Sequence, residues 1–427
     1  MKYIYFFTLL IVIQVYSHHV PGHHNEPEND KDKIIFEDQL PFLEEEHRNK
    51  ARGYDMIAPY NANFAFSFYR QIVSAAKGKN VLFSPPSIST AFALLTLGAK
   101  SETQSQIYKG LAFNLSVIEE NEIHKSFHQL IQVLNQPSNK AHVSLGNALF
   151  IMESLKILPK FLDNAKTLYE AEAFSCNFND SAAAEKQIND YVQNKTHGKI
   201  ARAVEGLDPS TVMVVVSYIF FNAHWENAFD TDLTTEEDFF IDADTTVKVH
   251  MMHRQGNYNF LRDDDLSCWV VEVPYKGDAS ALFILPDVGK MEHAEGTLGI
   301  ETLAKWKTSF TYEEIHLYIP KFSISASYDV KDILQRLGVT DAFSDNADLS
   351  GITGQRDLKV SKAVHKTVLE VHESGTEAAA VTVIEISPRF AGPSTTIKLN
   401  TPFQMLIINK PTHTILFAGK VINPTES

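Results

Sequence analysis

Cysteine is nearly absent: Cys176 and Cys268 are the only two in 427 residues. That excludes a disulfide-built scaffold, and a chain of this length can bury a large core without one. Two separate thiols are the expected state, although a secreted chain would permit one bridge. Neither cysteine carries the flanking pattern of a nucleophile. Catalytic and nucleotide-binding signatures are missing as well. There is no Gly-X-Ser-X-Gly elbow, His-Glu-X-X-His, Gly-X-X-X-X-Gly-Lys-Ser/Thr or Gly-X-Gly-X-X-Gly. A Ser-His-Asp triad drawn from distant positions would leave no local trace, yet nothing nominates its members. The expectation is a protein that is not an enzyme and needs no cofactor. Clustered Lys and Arg are lacking too, and the net charge is -15. That balance argues against nucleic acid, anionic membranes and polyanionic polysaccharides as partners. Past the first seventeen residues no long uncharged apolar run occurs, so no membrane span is expected.

What is present begins with a secretory pattern. In residues 1–17, Lys2 supplies the positive end, Tyr3 to Val15 the mostly apolar run, and Val15-Tyr16-Ser17 the small-residue cleavage pattern. A secreted, extracellular protein is therefore expected. The sequons at Asn114, Asn179 and Asn194 agree with that setting and are the candidate glycosylation sites. Residues 18–53 are polar and charged and cannot bury a core. Within them, His18, His19, His23 and His24 are weak candidates for a divalent metal such as Zn, Ni or Cu; a solvated tail is the favoured reading.

A single domain is expected over 54–427. Helices are predicted from Asn61 or Asn63 through Ile72, from Ile88 to Leu97, after a Ser101/Gln104 capping box, and around Phe127 to Leu134. Val212 to Phe221 is apolar at both parities, which suits a central strand covered on both sides. Strands dominate from Phe239 to Pro286, and strong strands are read at Ile315–Ile324, Lys362–His372, Ile397–Ile408 and Thr412–Val421. Helices early and strands late, without a repeat or a dividing linker, imply an α+β fold.

The informative stretch is the loop about 373–396, and above all Glu373 to Phe390. From Thr376 to Ser387 neither Gly nor Pro interrupts a period-two pattern. Thr376, Ala378, Ala380, Thr382, Ile384 and Ile386 form an uncharged set, whereas Glu377 and Glu385 fall on the other face. Gly375 in front is a flexible joint, and Pro388-Arg389 with Ala391-Gly392-Pro393-Ser394 behind reads as exposed loop. Strand chemistry between loop punctuation suggests a loop that can become a strand; a plain strand followed by a turn fits the pattern equally. An exposed Arg389 is also what a trypsin-like protease cuts, since its specificity pocket pairs a carboxylate with the guanidinium. His365 lies on the apolar face of the preceding strand, where a lone histidine is more often a hydrogen-bonded core residue than a ligand.

These residues resemble the serpin family over about residues 54–424. The likeness rests on Asn80-Val81-Leu82-Phe83-Ser84-Pro85-Pro86-Ser87-Ile88-Ser89, on Tyr218-Ile219-Phe220-Phe221-Asn222-Ala223-His224-Trp225, on Gly375-Thr376-Glu377-Ala378-Ala379-Ala380, and on Leu416-Phe417-Ala418-Gly419-Lys420-Val421-Ile422-Asn423-Pro424. The secreted α1-antitrypsin-like (clade A) group is most similar, judged by Ala363-Val364-His365-Lys366 and Ala347-Asp348-Leu349-Ser350-Gly351. The resemblance implies three β-sheets, about nine helices and an exposed reactive-centre loop. It implies a suicide substrate for serine proteases, whose cut loop inserts into the large sheet. By the family's loop length the attacked bond is Arg389-Phe390, with Glu373, Gly375, Thr376, Glu377, Ala378, Ala379 and Ala380 as hinge. Ser84, Ser87, Ser217, Trp225 and His365 fall at the shutter and breach. Ser217 replaces a common Asn, which implies a weaker or water-bridged latch. Val381 replaces a small residue on the outward face, and bulky Phe390 is expected to narrow the range of targets. Trypsin-like proteases are the expected partners of a monomeric inhibitor; a non-inhibitory hormone carrier or storage protein is the alternative.

Overall fold

A computed structural model describes residues 53–136, 141–200, 202–376 and 395–426. The signal-like segment, the tail histidines His18, His19, His23 and His24, hinge residues Glu377, Ala378, Ala379 and Ala380, and the Arg389-Phe390 bond lie outside the described residues. Among those described, no helix is long and apolar enough to cross a membrane.

Helix α1 spans Gly53–Ala75 and buries Ile57, Phe64, Phe68 and Ile72. It starts well before the expected Asn61 or Asn63 cap, so Asn61 is an interior, buried residue and Pro59 lies within the helix. The Gln129 side-chain oxygen accepts from the Gly53 N–H at 2.7 Å and takes over the role given to asparagine. Strand β1 is Val81–Phe83, and α2 follows at Pro85–Thr96 with proline in its first turn, where a missing N–H costs nothing. Every residue of α2 is buried. Helix α3 (Ser101–Gly110) has no side-chain cap. Ser101 sits at φ 53°, and Gln104 donates instead to the Thr96 carbonyl and Glu120, so the expected capping box does not form.

The sheet that organises the molecule runs β10-β11-β4-β2-β3, namely Phe322–Asp329, Lys362–Val371, Met213–His224, Ala141–Met152 and Glu172–Cys176. The central strand expected at Val212–Phe221 is β4, parallel to β11 and antiparallel to β2. Its odd residues Met213, Val215, Ile219, Phe221 and Ala223 enter the main core. Val214 and Val216 enter a second cluster with Ile188 and Val192 of the helix Ser181–Lys195. That double burial is why no polar alternation shows in the sequence there.

Among the described residues the other strands form one ladder of nine, because β6 (Thr246–Asp263) runs through two of the three expected sheets. Its first part pairs β5 (Thr235–Phe240), its middle pairs β9 (Thr311–Pro320), and its end pairs β7 (Cys268–Pro274). The single strand expected at Ile315–Ile324 breaks after Pro320 into β9 and β10. The one expected at Ile397–Ile408 breaks likewise into β13 (Thr395–Lys398) and β14 (Phe403–Asn409). Pro402 stands in the second gap and has no N–H to continue a ladder.

Candidate functional site

The site is a seam between β4 and β11. They pair in parallel from Lys362 opposite Val214 to Thr367 opposite Ile219. Beyond Ile219, β4 continues to His224, and a two-residue strand β12, Gly375–Thr376, pairs antiparallel with it instead. Gly375 is opposite His224 and Thr376 opposite Ala223. The chain leaving β11 turns at Glu373–Ser374, closed by the His372–Gly375 bridge, and re-enters the same sheet beside the strand it left.

Gly375 is dictated by this geometry. Its φ is 141°, and a Cβ there would lie 2.2 Å from the Ala223 oxygen. Thr376 is 2% exposed, with its hydroxyl 3.0 Å from that of Tyr275. Trp225, fully buried, stacks on Tyr275 at 4.2 Å between centroids, and its indole N–H donates to the His372 carbonyl at 2.9 Å. The Trp225 amide donates to the Ser374 carbonyl and the Phe229 amide to the Glu373 carbonyl, both at 2.9 Å. The Glu373 carboxylate accepts from the Thr234 hydroxyl at 3.0 Å and pairs with Lys321 at 3.0 Å. Burial alone would raise its pKa, but hydrogen bonds from its own backbone, Lys321 and Thr234 outweigh this and hold it below the usual carboxylate range.

Lower in the seam, His365 is completely buried directly opposite Ser217. The Ser84 backbone N–H donates to His365 Nε2 at 2.9 Å, so the ring proton sits on Nδ1 and is donated to Ser217 Oγ at 3.0 Å. The latch is therefore direct, and serine is long enough without a bridging water. Ser84 takes part through its backbone. The hydroxyls of Ser84 and Ser87 are buried without a hydrogen-bond partner among the described residues. Burial pushes the His365 pKa down to about 3, so the ring is neutral at physiological pH. The sign is that of a depressed base: its stability contribution is complete above an unfolded value near 6.5 and is lost toward pH 3. The loss approaches ~1.4 kcal/mol per pH unit once the unfolded form is protonated. A pH series of unfolding midpoints should therefore fall more steeply below pH 6 for the natural chain than for His365→Ala; parallel curves would exclude His365 as the group.

The structure brings Glu373, Gly375, Thr376 and Trp225 together at the upper end, and Ser84, Ser217 and His365 lower down. Tyr275, Lys321 and Thr234 come from three separate connections between strands or turns and had no signal in the sequence. Asn147, buried and paired with Ser217 across β2, lies 2.9 Å from the Thr90 hydroxyl and likewise escaped notice. Asn114, Asn179 and Asn194 are exposed. Cys176 and Cys268 are buried free thiols whose pKa values burial pushes up to about 11 and about 12, so both are inert.

The profile described as Serpin (serine protease inhibitor) matches residues 59–424. Alpha-1-antichymotrypsin of Homo sapiens is 48% identical over 90% of this chain and 92% of its own length. Alpha-1-antitrypsin of Sus scrofa is 45% identical over 92% of each chain. The solved structure of human thyroxine-binding globulin with thyroxine is similar at a TM-score of 0.84 and 43% identity, covering 88% of this chain and 100% of that one.

Proposed function

Given that the chain belongs to the serpin family, with clade A relatives, we propose that it is a secreted inhibitor that traps Arg-specific, trypsin-like serine proteases as a suicide substrate. The observation that carries this reading is β12, the two-residue strand Gly375–Thr376 paired antiparallel with β4. Continuing its register places Ala378 opposite Phe221, Ala380 opposite Ile219, Thr382 opposite Ser217 and Ile386 opposite Met213. Met213 is the first residue of β4, so the segment ends where its template does. The uncharged set then shares a face with the β4 residues of the main core, and Glu377 lies on the other face opposite Asn222. The predicted alternation matches what the seam would accept.

In this mechanism the target protease attacks the carbonyl of Arg389 and holds the amino-terminal part of the loop as an acyl-enzyme, while the new amine begins at Phe390. Insertion then parts the six β4–β11 pairs from Lys362–Val214 to Thr367–Ile219, and the His365–Ser217 bond at their centre must break. One parted interface is replaced by two, so the cleaved form gains ladder bonds of about 0.5–1.5 kcal/mol each. Secretion is proposed on the pattern of residues 1–17, and glycosylation on the exposed sequon asparagines.

The experiment is to mix the protein with trypsin, thrombin and chymotrypsin. Trypsin or thrombin should give an SDS-stable complex and release a C-terminal fragment beginning at Phe390. Clean cleavage without a complex would reject inhibition. A carrier role is the second reading, favoured by the likeness to thyroxine-binding globulin. Saturable thyroxine binding by a chain that makes no protease complex would establish it.

A further inference from the structure

The histidines left unused by this mechanism are informative. Strand β6 places His253 opposite Tyr318 of β9, and Gln255 opposite His316. His253 and His316 are therefore diagonal neighbours on one sheet face. Their Nε2 and Nδ1 atoms are 3.1 Å apart, their rings are nearly parallel at 17°, and both side chains are half-buried. His253 also stacks on Tyr318 at 4.3 Å, which fixes its ring. Lys398 of β13 lies 5.0 Å from the Tyr318 ring centroid and pairs with Glu237 of β5, so a strap crosses the same face.

We infer that His253 and His316 form a binding site for a divalent transition ion of the zinc type, with Nε2 of the first and Nδ1 of the second as ligands. Two imidazole nitrogens bonded at about 2.0–2.1 Å to a tetrahedral ion stand roughly 3.3 Å apart. The observed spacing is a few tenths of an ångström from that, a gap that a turn of the His316 ring closes. Burial and the neighbouring His316 depress the His253 pKa, against a weaker opposing pull from Glu237. The hydrogen between the facing nitrogens moves through solvent to the outer nitrogen of its ring, which frees both lone pairs. Among the described residues no set of three or more His, Cys, Asp or Glu side chains forms a metal cage, so water fills the remaining positions. The site couples β6 to β9, the strand that carries β13 with Thr396 opposite His316.

The test uses the full-length chain and zinc chloride alone. Diethyl pyrocarbonate acylates free imidazole nitrogen, and peptide mass mapping reads each histidine separately. At free zinc ten times Kd, modification of His253 and His316 should fall about tenfold, while exposed His250 on the same strand should not change. Equilibrium dialysis separates this site from the tail: His253→Ala should lose one zinc per chain, and the quadruple change of His18, His19, His23 and His24 to Ala should keep it. If His253→Ala does not fold, His316→Gln replaces it. Unprotected His253 and His316, or an unaltered zinc stoichiometry in the strand variants, would overturn the site.

Discussion

Arg389→Glu is expected to abolish trypsin inhibition, lowering the association rate by at least about a thousandfold. A trypsin-like pocket recognises guanidinium through a buried carboxylate, so reversing the charge removes a charge-assisted bidentate contact and sets two anions against each other. Losing one partner of such a pair costs on the order of 2–5 kcal/mol, and like-charge repulsion adds to it; each 1.4 kcal/mol is tenfold in rate. The change leaves every described core residue unaltered, so unfolding behaviour should stay that of the natural chain. The measurement is the second-order rate of complex formation, with N-terminal sequencing of the released fragment. Unchanged inhibition by the Glu variant would move the attacked bond, with Phe390 as the next position to test against chymotrypsin.

How much of this could be read from the chain depends on whether a signal is local. The alternation from Thr376 to Ile386 is a property of consecutive residues and shows without a partner strand; of that set the structure describes Thr376, which is buried beside β4. The buried β4 was legible as an apolar run. Tyr275, Lys321 and Thr234 were not, because each meets the hinge only through strand order, and nothing beside them in the sequence refers to residue 373 or 376. The latch was half legible. His365 stood out on an apolar face, but the length of Ser217 had to be judged against an unknown separation. The structure makes that separation one hydrogen bond of 3.0 Å. Helix starts failed for a similar reason: the Ser101/Gln104 pattern fits a capping box, yet Gln104 finds longer-range partners in Thr96 and Glu120. The His253–His316 pair was invisible because its residues are 63 apart, and only the β6–β9 register joins them.

Thr376→Arg should convert the inhibitor into a substrate. Thr376 is the first uncharged residue of the inserting set, 2% exposed and held by Tyr275. A guanidinium there faces Ala223, Tyr275 and the main core, and among the described residues no carboxylate is bonded to Thr376. An unpaired charge at a buried site costs several kcal/mol, so the variant keeps residue 376 outside the sheet. Cleavage at the proposed Arg389 bond does not depend on that pairing. Insertion does, because the strand must start beside Ala223 before later pairs can close. Slowing insertion by about 3 kcal/mol, roughly a hundredfold in rate, lets the acyl-enzyme hydrolyse first. The stoichiometry of inhibition should rise at least tenfold, with cleaved protein in place of the SDS-stable complex. Thr376→Ala, which loses only the Tyr275 contact, should stay an inhibitor. A Thr376→Arg chain that still formed the covalent complex one to one would mean that β12 is not where insertion begins.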